Sequence, residues 1–462
     1  MQDESTERVA GGDSDGDGAL LPWVGTEVPG PRARAWVERL AQSECPALTA
    51  RRKRRSELTG TDHDPIVWTS AHGAIVRDVD DNRFIDLTAG FGVAMLGHSH
   101  PSVLSAIERQ TRRMVHALGD VFPSDRKVEL EERLSALAPW PNAKVILGLS
   151  GADGVEAALK SAVLATKRAG VIAFEGGYHG LAHGPLAACG YSKRFREPFA
   201  GQLNADVRFV AYPAREAPEA CSRALDGVRD ALASGTIGAV LVEPVQGRGG
   251  VTVGDGPTLS AIVKLAREAG AVVIADEIYT GCFRCADAFC ASTVLWNELP
   301  DVVVLGKALG GGLPVSACLL RDEVAEAWGD PAGEAIHTST FLGNPLACAA
   351  ALAVVNELER PSVREQIRRQ SELFWSDVIA PVASDPSCRT TRTGGAGLLV
   401  GLGLEGGLAR VLTVMRAMLE RGYIVLPGGV RGDQLAFTPP AVLSDAQRAH
   451  ARETLRLVLR AT

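Results

Sequence analysis

The chain has 462 residues, 46% of them hydrophobic, and a formal net charge of -7 at pH 7. This length and this hydrophobic content predict a globular protein with a large core and two domains. The negative net charge gives no overall attraction to nucleic acid or to an anionic membrane surface, so neither is expected as a partner.

The N-terminal part carries little structural signal. Residues 1–20 are rich in Gly, Asp and Ser, which predicts a disordered tail, and they lack the apolar core of a signal peptide. The basic run RRKRR, Arg51 to Arg55, is interpreted as a solvated surface segment. Nine cysteines without regular spacing indicate a reducing compartment, and no stretch is apolar and long enough to cross a bilayer. We therefore expect a cytoplasmic protein.

Strand-like and helix-like segments alternate from about residue 64 onward. The strand-like KVILGLS precedes GVEAALKSAVLATKRAG, which has apolar residues at helical spacing and ends at Gly170. Further short apolar runs are GVIAFEG, IGAVLVEP, AVVIADE and DVVVLGK. This βαβ pattern predicts an α/β fold with a parallel or mixed sheet covered by helices.

The predicted domain organisation rests on changes in composition along the chain. The segment after about Glu359 is more charged and mixed, which indicates a second, smaller domain joined by the N-terminal part. The predicted ranges are a tail at 1–20, the N-terminal part of the small domain at 21–85, a large domain at 86–350 and the C-terminal small domain at 351–462.

Three predicted strands end in polar residues that could act together in one ligand-binding site. Asp276 ends AVVIAD, Glu243 ends AVLVE, and Lys307 follows the unbroken apolar run of DVVVLGK. Ligands of open α/β sheets bind at the carboxyl ends of the strands. A lysine held there among apolar walls loses its proton readily and can act as a nucleophile.

A fourth feature is the turn at Ser150 and Gly151, between a predicted strand and a helix. The unpaired N–H groups at such a helix N-terminus can hold a phosphate, although many similar turns carry Gly and Ser only for the turn itself. Taken alone, Asp276 is compatible with a helix cap and Lys307 with a surface residue. Together, a lysine nucleophile, a buried carboxylate and a phosphate cradle indicate pyridoxal phosphate.

The motifs that carry this constellation recur over nearly the whole chain. In order they are GHSHP, SGADGVEAALK, YHG, EPVQGRGG, DEIYTG, GKALGGGLP and TFLGNPLA. The chain resembles the class III aminotransferases, of the ornithine and 4-aminobutyrate type. The resemblance implies the fold type I of aspartate aminotransferase, in which a large domain with a mostly parallel seven-stranded sheet joins a smaller α+β domain.

The resemblance also implies roles for individual residues. Lys307 is similar to the Schiff-base lysine that acts as general acid and base, Asp276 to the partner of the cofactor's ring nitrogen, and Tyr178 to the aromatic that stacks on the ring. Thr340 is similar to the threonine that reaches the phosphate from a neighbouring subunit, which implies a homodimer with shared sites. The resemblance places further residues around the cofactor, namely Ser150, Gly151, Ala152, His179, Glu243, Ile278 and Tyr279.

Two other short patterns have competing interpretations. His179 and His183 have a metal-like spacing in HGLAH, but no glutamate follows His179, so zinc is not expected. The three glycines Gly310 to Gly312 are interpreted as allowing close backbone approach beside a bulky cofactor.

Departures from the family pattern affect the substrate. Ala436 in LAFTPP stands where relatives carry an arginine that binds a substrate carboxylate, and Leu181 stands where 4-aminobutyrate enzymes carry a second one. A short neutral side chain cannot replace a bidentate guanidinium, so 4-aminobutyrate is predicted to be a poor substrate. Glu243, which pairs with the first arginine in relatives, is expected to find Arg248, Arg284, another cation or a cationic substrate group.

Two aromatic residues are further departures. Tyr279 replaces a glutamine common in relatives, and its hydroxyl could still donate to the cofactor's phenolic oxygen. Phe91 occupies a position that is aliphatic and faces the substrate in relatives, where core packing and a role in shaping the pocket are equally compatible with the sequence.

The sequence therefore predicts a pyridoxal-phosphate-dependent aminotransferase. It moves an amino group from an amine or amino acid to a keto acid or carbonyl acceptor. An amino-acid racemase or epimerase of the same family is the alternative, because some of these also lack the arginine, and an aminomutase is a further one. A catalytically inactive binding protein is disfavoured because Lys307 and Asp276 are both present.

Overall fold

The computed structural model describes residues 20–329 and 335–462. The predicted disorder of the tail concerns residues that lie, except for Leu20, outside this part of the chain. The strands in chain order are β1 (Trp68–His72), β2 (Ile75–Asp78), β3 (Arg83–Asp86), β4 (Lys144–Gly148), β5 (Gly170–Phe174), β6 (Val207–Val210), β7 (Ile237–Val242), β8 (Val245–Gln246), β9 (Thr252–Val253), β10 (Val272–Asp276), β11 (Val302–Leu305), β12 (Ser316–Leu320), β13 (Thr390–Ala396), β14 (Leu399–Leu404), β15 (Tyr423–Ile424), β16 (Leu426–Gly428) and β17 (Gln434–Phe437).

The helices lie mostly between these strands. In chain order they are α1 (Pro31–Ser43), α2 (Pro46–Thr59), α3 (Ala89–Gly92), α4 (Pro101–Arg113), α5 (Asp125–Leu137), α6 (Gly151–Thr166), α7 (His183–Ala187), α8 (Lys193–Arg196), α9 (Pro218–Leu232), α10 (Gly256–Glu268), α11 (Ser292–Leu295), α12 (Asp322–Ala325), α13 (Pro345–Leu358), α14 (Pro361–Phe374), α15 (Ala380–Ala383), α16 (Gly407–Leu419) and α17 (Asp445–Ala461). Short 3-10 segments follow at Glu197–Gln202, Lys307–Gly310, Glu326–Trp328 and Pro386–Cys388, and Trp375–Ile379 is a π-helical turn.

A seven-stranded sheet forms the centre of the molecule, in the order β4-β12-β11-β10-β7-β5-β6. Neighbouring strands are parallel except for β12, which runs antiparallel to β11 and β4. The prediction of a mostly parallel seven-stranded sheet is confirmed.

The strands of this sheet are apolar without alternation because both faces are covered. Along β11, Val302 and Val304 pack with α6, whereas Val303 and Leu305 belong to the larger core on the opposite face. All four side chains are buried. Complete burial on two sides is what a parallel sheet between helical layers requires.

Two smaller sheets lie outside the central one. The first, β1-β2-β3-β15, contains the parallel pair β3 and β15, so it joins N-terminal and C-terminal segments of the chain. The second, β13-β14-β17-β16, is antiparallel and packs with α16. These elements form the α+β part of the fold, while the boundaries predicted at 85 and 350 stay a prediction.

No helix within the described residues is both long and apolar enough to span a membrane.

Candidate active site

The carboxyl edge of the central sheet gathers the polar residues predicted from the sequence. Asp276 is the last residue of β10, Glu243 follows β7 directly, and Lys307 lies two residues beyond β11. The turn after β4 leads through Ser150 into α6. Since parallel strands end at the same edge, these residues lie together, as expected at the ligand-binding edge of such a sheet.

The surroundings of Lys307 favour the neutral form of its amine. Its Nζ lies 3.9 Å from the centroid of the Tyr279 ring. Burial lowers the pKa of Lys307 to about 8, and the positive charges of Arg284 and Arg248 act in the same direction against the opposing charges of Asp276 and Glu243. The lysine therefore carries a substantial neutral fraction near neutral pH, as a nucleophile needs.

Two of the glycines after Lys307 are required by the backbone and by packing, while their predicted role beside the cofactor stays a prediction. Gly311 and Gly312 have φ values of 57° and 114°, a left-handed backbone that side chains disfavour. A Cβ on Gly311 would also lie 2.7 Å from Cγ2 of Val354 in α13. The glycines are explained by this turn and by close packing against a helix.

A buried ion pair stands beside the lysine. Oδ2 of Asp276 lies 2.7 Å from Nδ1 of His179, and Oδ1 accepts a hydrogen bond from the Ile278 amide at 3.1 Å. Burial alone would lower the pKa of His179, but the hydrogen bond and the charge of Asp276 outweigh it, so that the pKa of His179 is raised. The hydrogen bond and the charge of Asp276 thus favour the protonated form of His179, which gives Asp276 a cationic partner.

Glu243 is satisfied by the backbone rather than by an arginine. Its carboxylate accepts hydrogen bonds from the amides of Tyr178 at 2.8 Å and Gly247 at 3.1 Å. Burial raises the pKa of Glu243 to about 7, although His179 opposes this shift. Of the alternatives expected for Glu243, neither Arg248 nor Arg284 pairs with it among the described residues. The alternative of another cation is the one that the structure shows, because the charge of His179 acts on Glu243.

Arg284 is instead enclosed by backbone carbonyls. Its guanidinium donates to Leu398 O at 3.2 Å, Pro439 O at 3.5 Å and Gly92 O at 3.0 Å. Burial lowers the pKa of this arginine. Backbone carbonyl oxygens thus take the place that the carboxylate of Glu243 could have had beside Arg284.

Tyr279 fills a slot between two glycines. A Cβ on Gly92 would lie 2.4 Å from Tyr279 Cε2, and one on Gly247 would lie 2.3 Å from Tyr279 Cδ1. The hydroxyl lies 3.5 Å from the hydroxyl oxygen of Thr438. The ring is thus fixed with one face toward the Lys307 amine, and the hydroxyl is directed toward Thr438, a residue that the sequence analysis missed.

Two residues of the predicted cofactor set meet at the N-terminus of α6. Ser150 caps the helix by accepting from the Asp153 amide at 3.2 Å. A Cβ on Gly151 would lie 2.8 Å from Ile278 Cδ1, so Ile278 packs directly against this turn. Among the described residues, no group accepts from the amides of Gly151 and Ala152, which leaves two donors for an anion.

Tyr178 lies under a second cation. The Cζ atom of Arg248 is 4.5 Å from the Tyr178 ring centroid and 5.2 Å from that of Tyr191. The two tyrosine rings meet edge to face at 6.1 Å. The sequence motif EPVQGRGG contains this arginine, but its spacing gives no sign that the side chain would stack on Tyr178.

Other predicted residues lie apart from this cluster. Thr340 is exposed and makes no hydrogen bond with any other predicted site residue within the described chain. Leu181 is exposed, and Phe91 is 59% exposed with a φ of 63°. The exposure of Phe91 contradicts simple core packing. Ala436 lies in β17 and packs in one small core cluster with Tyr279.

Comparison with known proteins agrees with this architecture. The fold matches the crystal structure of a Bacillus anthracis aminotransferase with a TM-score of 0.80 at 22% identity, over 87% of this chain and 94% of that one. This likeness defines the fold as that of fold type I aminotransferases. A model of the class-III aminotransferase family matches residues 58–459.

Relatives of similar length support the family at the level of sequence. An acetylornithine aminotransferase of Methanopyrus kandleri is 35% identical over 86% of this chain and 95% of that one. A LysW-aminoadipate semialdehyde transaminase of Deinococcus radiodurans is 34% identical over 83% of each chain. An acetylornithine aminotransferase of Methanosarcina acetivorans is 31% identical over 83% of this chain and 89% of that one. The chain belongs to the class III aminotransferases.

Membership of this family defines the chemistry. The protein is a pyridoxal-phosphate-dependent enzyme that transfers amino groups, as predicted. The comparisons give no support to the racemase, epimerase or aminomutase alternatives. The residues at the sheet edge fit the cofactor by their chemistry, because they combine a lysine with a lowered pKa, an aspartate paired with a histidine and two helix amides without an acceptor among the described residues.

Proposed function

We propose that Lys307 is the residue that binds pyridoxal phosphate covalently and moves the proton during amino transfer. The observation that carries this proposal is the lysine amine at the sheet edge, 3.9 Å from the Tyr279 ring centroid, with a pKa of about 8. When bound, the cofactor supplies an electron sink for the substrate carbon that bears the amino group. A neutral lysine amine beside it can accept and return that carbon's proton.

The surrounding residues would hold the cofactor and fix its charge. Asp276, paired with His179, would face the cofactor's ring nitrogen, and the amides of Gly151 and Ala152 would hold the phosphate. Tyr178 and Ile278 would bound the ring, while Ser150, Glu243 and Tyr279 complete the wall. The support for these roles is the position of the residues at the carboxyl edge of the central sheet, together with the family motif.

The proposed substrates are an amine or amino acid donor and a keto acid or carbonyl acceptor. Relatives named for acetylornithine and for aminoadipate semialdehyde support a donor whose product is a carbonyl compound. Ala436 and Leu181 cannot form charged hydrogen bonds with a carboxylate. We therefore expect 4-aminobutyrate to be a poor donor compared with its use by enzymes that carry both arginines.

Replacing the lysine tests the central assignment. Lys307→Ala should abolish amino transfer, because the variant has no amine to bind the cofactor or carry the proton. Borohydride reduction of the loaded wild type, followed by mass spectrometry, should place the cofactor on the peptide that contains Lys307. Cofactor found on another lysine, or normal turnover by the variant, would refute the role of Lys307.

A matched control comes from another lysine on the same sheet face. Lys160 in α6 is half-buried, lies near His337 and is not part of the proposed cofactor set. Lys160→Ala should keep both the covalent cofactor and the turnover. Circular dichroism of both variants would verify that the loss in Lys307→Ala is chemical and not a failure to fold.

We further propose a homodimer located in the cytoplasm. The segment around Thr340 and the neighbouring loop expose Leu118, Val121, Phe122 and Phe341, an apolar surface of the kind that mediates association. In a dimer, Thr340 would reach the phosphate of the partner's cofactor. The nine free thiols support a reducing compartment.

A further inference from the structure

Arg248 is a cation without a counter-charge at the candidate active site. Its side chain is exposed, and its guanidinium stacks over the rings of Tyr178 and Tyr191 at 4.5 and 5.2 Å. Its backbone is fixed, since the Arg248 carbonyl accepts from the Gly429 amide at 3.1 Å. Within the part of the chain that the structure describes, Arg248 forms no ion pair.

The orientation of Arg248 leaves its donors available. A guanidinium that stacks on an aromatic face keeps the N–H groups along its edge free to bind a carboxylate or a phosphate in a bidentate way. Glu243 is already held by the amides of Tyr178 and Gly247, and no ion pair joins it to Arg248 in the described chain. The positive charge also reaches the reaction centre, because Arg248 contributes to the lowered pKa of Lys307.

A second cation lies close to Arg248, contributed by α2. The pKa of Arg55 is lowered by burial first and then by the positive charges of Arg51 and Arg248, and it is also affected by Tyr191. Arg52 on the same helix pairs with Glu44 and Asp64, whereas Arg55 pairs with no carboxylate of the described chain. The basic run of α2 thus brings one unpaired arginine toward the Tyr191 side of the site.

We propose that Arg248 binds an oxyanion of the substrate, a carboxylate or a phosphate carried away from the reacting carbon. The inference deepens the proposed function, on which it rests, by naming the substrate class. This site would take the role of the arginine that relatives carry at the position of Ala436, but from a different part of the chain. A cation without a counter-charge gains free energy when an oxyanion binds to it.

The test uses equilibrium binding, so that it does not depend on turnover. Glutarate, a dicarboxylate with no amino or keto group, is titrated into the cofactor-loaded protein by calorimetry, with glutaramide as its uncharged counterpart and inorganic phosphate as the second oxyanion. Arg248→Gln should weaken glutarate binding about 10-fold or more, the effect of losing a charged hydrogen bond. Arg55→Gln should weaken it less, by about threefold, because the charge of Arg55 acts at longer range.

The control variants separate recognition from general charge. Arg54→Gln removes an exposed charge from the same helix and should leave the glutarate affinity unchanged. Arg248→Lys keeps the charge but loses the fork and the stacking, so it should bind with intermediate affinity. Tighter binding of phosphate than of glutarate, lost in Arg248→Gln, would assign a phosphorylated substrate to the same site.

The outcomes distinguish this inference from the proposed function. Glutarate affinity that is equal in Arg248→Gln and the wild type, or glutaramide binding as tight as that of glutarate, would overturn the anion site even if amino transfer is observed. Binding that depends on Arg248, together with normal turnover in Lys307→Ala, would support the anion site and refute the proposed role of Lys307. A normal near-ultraviolet circular dichroism spectrum verifies that each variant is folded.

Discussion

Lys307 shows how a single side chain combines reactivity with a stability penalty. Burial lowers its pKa because the charged form loses hydration, and the anionic neighbours Asp276 and Glu243 recover only part of that loss. The charged form of the catalytic lysine therefore lowers the stability of the folded protein. Catalytic residues commonly carry such a penalty.

The penalty can be measured in the cofactor-free protein. In the unfolded chain the lysine titrates at 10.5, and in the folded chain at about 8, so at pH 7 the charged amine disfavours folding by up to about 3 kcal/mol. Lys307→Met should accordingly raise the free energy of unfolding at pH 7. This gain in the free energy of unfolding should shrink as the pH rises from 8 to 10.5. In that range Lys307 is protonated in the unfolded wild type but largely neutral in the folded wild type, so the penalty on the folded state disappears. Urea denaturation at pH 7 and pH 10.5 measures both values, and an equal gain at the two pH values would contradict the assignment.

At the scale of elements, the ends of strands provide both active-site residues and contacts that stabilise the fold. Glu277, next to Asp276, is buried and accepts hydrogen bonds from the amides of Ala291 and Ser292 and from the Ser292 hydroxyl. Burial raises the pKa of this carboxyl to about 7, although these donors oppose the shift. Glu277 thereby ties the end of β10 to the start of α11.

Removing this link should be costly. Glu277→Ala leaves three donors without their acceptor, and each buried unsatisfied donor costs about 1–3 kcal/mol, so we expect a destabilisation of about 3 kcal/mol or more. Thermal unfolding of the loaded protein measures the loss. Glu277→Gln keeps one acceptor oxygen and should lose less, and an unchanged melting temperature in Glu277→Ala would refute the role of the link.

The elements themselves were predictable because their signals are local. Unbroken apolar runs such as Val302 to Leu305 predict a doubly covered parallel sheet, and the order of such runs predicts which polar residues share its edge. The contacts of Glu243 and Arg284 were not predictable, since backbone amides and carbonyls, which carry no sequence signature, took the place of the expected ion pair. The stacking of Arg248 on Tyr178 likewise depends on tertiary packing alone.

On the scale of the whole molecule, an apolar surface lies beside the segment that contains Thr340. The rings of His116 and Phe341 approach to 5.4 Å, and Thr338 donates to Asp120 at 2.9 Å, so the two loops form one unit. Phe122 in this unit is 68% exposed. A monomer would leave this surface in water, whereas a dimer would bury it and bring Thr340 to a partner's site.

A charge placed on this surface should weaken association. Phe122→Arg would bury an unpaired guanidinium at the interface, so the dissociation constant of the dimer should rise about 30-fold or more. Sedimentation velocity over a dilution series measures it, and the specific activity should fall together with the dimer fraction. Val294→Arg, at an exposed valine of α11, is the control and should leave association intact. An unchanged dissociation constant in Phe122→Arg would place the interface elsewhere.

The close packing of Tyr279 between Gly92 and Gly247 makes the position of its ring sensitive to substitution of these glycines. Each glycine hydrogen faces the ring at a place where a methyl group would overlap it, so a change of one carbon at either position must move the ring and with it the surface presented to the lysine amine. Gly92 has a φ of 84°, which disfavours any side chain, whereas Gly247 lacks that restriction. Laboratory evolution could therefore retune this enzyme at residue 247 by volume alone, with every ionisable group of the reaction left in place.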